Sequence, residues 1–133
     1  MRRAISVFPI VLAVASVPAS SETWRESGST GGAIGYIDTD SLKRDGDKIR
    51  FWTEIRLPEP KSAPTGERFD RMGALVEIDC RAMTYRNLRN RAGLGDRLIY
   101  EGKVKEAPDT VTPGTNIHAQ LRAVCFDDWS SGN

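Results

Sequence analysis

The chain has 133 residues and sets 19 Lys and Arg against 18 Asp and Glu, so its overall charge gives no reason to expect a nucleic-acid or membrane-surface partner. One histidine and two cysteines leave no zinc-type ligand set.

The chain opens with Arg2 and Arg3, an apolar run from Ile5 to Val17 and small residues at Ala19 and Ser20. That layout is a secretory signal peptide, and the run, broken by Pro9, is shorter than a spanning helix needs. Cleavage is expected after Ala19, with Ser21 as the alternative. No cysteine borders the boundary to carry a lipid anchor, so the expected product is exported and unanchored, periplasmic or secreted to the cell surface. Losing Arg2 and Arg3 lowers the basic count from 19 to 17 and keeps the product near neutrality. Residues 20–133 are then expected to form one small domain with a thin core, burying about 65% of the surface of its unfolded chain.

Short strands are expected at Thr23 to Glu26 and Ala33 to Asp38, punctuated by glycines. The aspartate-rich stretch that follows, IDTDSLKRDGDKIRFW from Ile37, invites a calcium reading. An EF-hand loop needs oxygen ligands at positions one, three and five, glycine at six and glutamate at twelve. Counted from Asp38, those last three positions hold Leu42, Lys43 and Ile49, and counted from Asp45 the fifth is Ile49. The stretch therefore reads as turns: Asp38 ends a strand, Ser41 and Leu42 turn, and Asp45-Gly46 reverses the chain.

From Asp47 to Leu57 strict alternation puts Ile49, Phe51, Thr53, Ile55 and Leu57 on one side and Lys48, Arg50, Trp52, Glu54 and Arg56 on the other. Period two means a strand with one buried face. Residues 58–70, with three prolines and a glycine, are expected to be a long exposed loop. Ala74 to Cys80 alternates again and turns Cys80 toward the core. Further strands are expected at Met83 to Leu88 and Arg97 to Lys103. Pro113-Gly114-Thr115-Asn116 then breaks the chain and caps a helix whose stripe is Ile117, Leu121, Val124 and Cys125. The tail from Phe126 is expected to fray.

Cys80 and Cys125 follow an export signal, and an oxidising compartment favours one disulfide that staples helix to sheet. A reactive thiol is the alternative. Closing a loop of this length removes about 4 kcal/mol of denatured-chain entropy.

Little here supports catalysis. His118 stands alone in the first turn of the helix, no G-x-S-x-G elbow occurs, and Glu77 and Asp79 read as solvated charges on one strand face. The sequence is therefore read as non-enzymatic, with no cofactor and no metal. A sharper feature is the run from Arg81 to Arg97, which holds five arginines and one acid. With Arg50, Trp52 and Arg56, the residues Arg86 and Arg89 make a candidate binding surface, since tryptophan between guanidiniums forms recognition platforms. Strand arginines serving only solubility and edge protection are the competing reading.

Trp24, YIDTDSLKRDGDKIRFW from Tyr36, VEIDCRAMTYR from Val76 and TPGTNIHAQLRAVC ending at Cys125 together resemble the surface-adhesin protein E-like domain of bacterial exported proteins. The resemblance implies an α+β fold, an antiparallel sheet carrying a C-terminal helix joined to it by Cys80 and Cys125. It also implies a non-enzymatic envelope protein, the named member type being a surface adhesin that binds host matrix proteins; the partner expected here is an envelope or host matrix protein. A small periplasmic inhibitor or stress-related protein acting through the 58–70 loop is the alternative.

Overall fold

The computed structural model describes residues 22–130; the expected leader at 1–19 and the last three residues of the tail lie outside them. Strands β1 (Trp24–Thr30), β2 (Ala33–Asp38), β3 (Lys43–Asp45), β4 (Lys48–Ser62), β5 (Arg68–Asp79), β6 (Thr84–Leu94), β7 (Arg97–Lys103) and β8 (Asp109–Thr110) precede helix α1 (Asn116–Phe126). Every pairing is antiparallel, in the order β1-β2-β4-β5-β6-β7, with β3 added to β4 and β8 to β6. The expected α+β class, a sheet with one C-terminal helix, is the observed one.

Turn chemistry sets the registers. Gly31 and Gly32, with φ of 59° and 83°, form the two-residue loop between β1 and β2, where two positive φ values match the twist of the flanking strands. The aspartate-rich stretch is indeed a set of turns. Asp38 accepts from the Asp40 N–H at 3.1 Å and caps a 3-10 turn at Thr39–Ser41. The reversal into β4 sits one residue later than expected, on Gly46-Asp47, and leaves Asp45 paired with Lys48.

The 58–70 segment is not a long loop. β4 continues to Ser62, pairs Lys61 with Phe69 and Ser62 with Arg68, and reverses only over residues 63–67. Between Arg56 (opposite Arg71) and Lys61 (opposite Phe69), four residues face the single Asp70. Pro58 and Pro60 fall in that interval, where a missing N–H breaks no ladder bond. The prolines thus bend a long hairpin rather than end it.

One face of the sheet is the core. Ile37, Ile49, Phe51, Val76 and Ile78 meet Leu121 and Ala123 of α1, with Val111 closing one end. The expected helix stripe does pack there, but the most deeply buried helix residues also include Ala119, Gln120 and Ala123, small side chains and an amide that allow close approach. Gln120 donates to Thr53 Oγ1 at 2.8 Å, and Thr53 passes a bond to the Tyr36 carbonyl at 2.9 Å, so a polar chain crosses the apolar layer. Thr115 caps α1, and the Cys80–Cys125 disulfide, with Cα atoms 5.7 Å apart, ties the helix to the end of β5.

The segment after Cys125, expected to fray, is tied back as far as Ser130. Trp129 packs on the core and lies under the Arg25 guanidinium, 4.1 Å from its ring centre. Hydrogen bonds from Ser130 and Arg122 hold the Asp128 carboxyl down to about 2.

Candidate functional site

The strand alternation that buries Ile49, Phe51 and Thr53 puts Arg50, Trp52, Glu54 and Arg56 on the opposite face, which no helix of the described residues covers. Register then sets their neighbours across the sheet. Arg50 lies opposite Glu77, and Glu77 opposite Arg86. Trp52 lies opposite Leu75, and Leu75 opposite Arg89. Glu54 stands between Tyr36 and Gly73, with Arg91 beyond, and Arg56 opposes Arg71.

Glu77 is an ion-pair hub, not the solvated charge the alternation implied. It is 6% exposed and accepts from Arg50 Nε at 2.7 Å and from Arg86 Nε at 3.0 Å. Burial alone raises its pKa, and the hydrogen bonds from Arg50 and Arg86 outweigh that and hold it below the ordinary 4.5. Asp79, two residues on, is taken up by a turn and accepts from the Arg81 and Ala82 N–H groups at 3.0 and 2.9 Å.

The other half of the face is built from arginines, aromatic rings and glycines. Arg91 lies 4.3 Å from the ring centre of Trp52 and 6.0 Å from that of Trp24, and Arg56 lies 4.1 Å from that of Tyr36. Two glycines permit this. A Cβ at Gly73 would stand 2.8 Å from Arg91 Cγ and Nε, and one at Gly93 would stand 2.6 Å from Arg71 Nε. Both arginines therefore lie flat along the sheet, over positions without side chains. Beneath them Glu54, 5% exposed, accepts from Arg56 at 3.2 and 3.3 Å and from Arg71 at 3.4 Å.

The five residues expected to form a surface do share this face, in two groups. Arg50 and Arg86 are committed to Glu77, while Trp52, Arg56 and Arg89 border the aromatic half, with Arg89 3.6 Å from Glu101. Arg86 and Arg89 share a face only because Leu88 is an extra residue in β6, opposite no partner between the pairs Leu75–Arg89 and Val76–Asn87. Sequence reasoning missed Trp24, Tyr36, Arg71 and Arg91 as one array, because their convergence runs across four strands. Glycines inside otherwise regular strands, Gly73 and Gly93, were the available signal.

His118 sits in the first turn of α1, where its N–H donates to Thr115 Oγ1 at 3.3 Å. Among the described residues no group of three or more His, Cys, Asp or Glu could hold a metal ion. None of their helices is long and apolar enough to cross a membrane.

A disulfide-tied α+β domain with one face of its sheet on the helix and the other left as an arginine–aromatic surface is the class these features define. The chain belongs to the surface-adhesin protein E family, whose model matches residues 24–126. Among solved structures, protein E of Haemophilus influenzae is similar at 13% identity and a TM-score of 0.54, over 84% of this chain and 97% of that one. A second crystal form of that protein matches at 15% identity and a TM-score of 0.52, over 81% and 98%. Protein E from non-typeable Haemophilus influenzae matches at 14% and 0.50, over 85% and 92%. At these identities the likeness is one of fold. Among curated proteins none matches the chain.

Proposed function

We propose that the chain is a non-enzymatic, exported protein of the bacterial envelope that binds a protein partner, from the envelope or from host matrix, through the outer face of its sheet. The observation that carries the reading is the array of Arg91 between Trp24 and Trp52, with Arg56 on Tyr36, on the face of the sheet opposite α1. Aromatic and arginine side chains dominate the energetics of protein interfaces, and glycine cradles that pin them flat lower the entropy lost on binding. The family supports an adhesin-like role, and the leader expected at residues 1–19 supports export.

The test is capture by the oxidised protein of envelope extract and of immobilised matrix proteins. A Trp52→Ala, Arg89→Glu double variant with an unchanged melting temperature is expected to lose the captured partner. Capture that survives in that variant and disappears when residues 63–67 are replaced by a Gly-Ser linker would transfer the activity to the hairpin tip, the inhibitor reading.

A further inference from the structure

Within the proposed binding face lies an open depression of 280 Å³, at the lower end of ligand-pocket sizes, with room for one or two peptide side chains. Arg56, Arg71 and Arg91 line it together with Glu22, Glu54 and Glu101. The numbers of charges balance, but their pairings do not. Glu54 is taken by Arg56 and Arg71, Glu101 stands 3.6 Å from Arg89 outside the depression, and Glu22 accepts from Trp24 Nε1 at 3.1 Å. Among the described residues Arg91 has aromatic rings for neighbours and no carboxylate within 4.0 Å.

Two further observations point to a missing anion. Arg71 Nε is buried without a hydrogen-bond partner, and buried donors are almost always satisfied in folded proteins. Arg56 and Arg71 are also directly opposed across β4 and β5 and share the one carboxylate of Glu54, which leaves three guanidiniums in the depression with a single paired acid. Guanidiniums held flat and short of acceptors present planar N–H donors, the geometry that recognises a carboxylate.

We infer that this depression receives a single carboxylate, presented by an acidic and partly apolar peptide segment of the partner; the inference rests on the sheet face being the binding surface. Leu98, 55% exposed at the edge of the depression, supplies the apolar contact beside the charge. The glutamates around it argue against a densely sulfated chain, because each added anion would meet Glu22 or Glu101 at short range.

The experiment follows the arginine Nε–Hε signals of the 15N-labelled, oxidised protein during titration with a capped Leu-Glu-Leu peptide, its Leu-Gln-Leu counterpart and a heparin hexasaccharide. The Glu peptide is expected to shift the Arg71 and Arg91 signals saturably and to bind about tenfold more tightly than the Gln peptide, the loss that one charge-assisted hydrogen bond represents. Arg91→Gln is expected to abolish that preference. Gly93→Ala, which drives Arg71 off the sheet, should do the same. No shift, an equal response to both peptides, or tighter binding of the hexasaccharide would overturn the inference. Partner capture that persists in an Arg71→Gln, Arg91→Gln variant would overturn the carboxylate site and leave the face reading standing. A wild-type chain that binds the Glu peptide but captures no partner would support the site and remove the face reading.

Discussion

Glu77 shows how a single residue's role depends on its neighbours across the sheet. In sequence it is a carboxylate on the polar side of an alternating strand; in the fold it is buried between two arginines that hold it charged. Because its pKa in the fold lies below the ordinary 4.5, the stability it adds is complete above that value and is lost as acid titrates it through the lower one. Glu77→Gln should therefore destabilise the protein by about 1–2 kcal/mol near pH 7, discounted for the exposure of both arginines. In urea melts the difference from wild type should shrink toward zero below pH 4 or so; a difference constant with pH would show that packing, not charge, sets the effect. Gly73 makes the complementary point, since its lack of a side chain is what lets Arg91 reach Trp52. Gly73→Ala is expected to lift Arg91 and change the tryptophan emission spectrum while far-UV circular dichroism stays as it was. An unaltered emission would mean that Arg91 does not depend on the glycine.

Strand and helix existence was legible wherever one face is apolar and the other polar. β2 and β7 match the expected spans, and alternation located β4 and the inner end of β5. It failed where tertiary pairing overrode local signals. Prolines at 58 and 60 argued for a loop, yet they sit in an irregular interval of a hairpin that resumes at Lys61. β6 runs on through Arg91 to Leu94, past the expected end at Leu88, because β5 and β7 both supply partners for its backbone. The helix start was readable because Thr115 supplies a side-chain acceptor for the His118 N–H. Thr115→Ala should cost about 1 kcal/mol, read as a lower midpoint in thermal melts. The Thr115 hydroxyl also donates to the Thr112 carbonyl at 2.7 Å, so Thr115→Ser, which keeps both bonds, is expected to stay close to wild type. A Ser variant as unstable as the Ala variant would assign the loss to the methyl group instead.

At the scale of the molecule, α1 covers one face of a long sheet, and a core this thin needs a tie. The disulfide provides it across a separation of 45 residues, worth about 4 kcal/mol in the loop-entropy account. A Cys80→Ala, Cys125→Ala chain should lose about 3–4 kcal/mol in equilibrium urea unfolding. A loss under about 1 kcal/mol would show that helix packing alone holds the two layers. Two levels of information separate at this scale. The sequence by itself determined the fold class, the two cysteines that close it, the turn nature of the aspartate-rich stretch and which face of β4 is polar, because period-two burial, cysteine placement and glycine turns act locally. Only the tertiary structure decided which polar side chains meet. The extra residue at Leu88 brings Arg86 and Arg89 to one face, and the pairing of five strands sets Trp24, Tyr36, Trp52, Arg71 and Arg91 around two glycines. Such a constellation is a property of register between strands, and register is a cooperative outcome of packing that no single segment encodes.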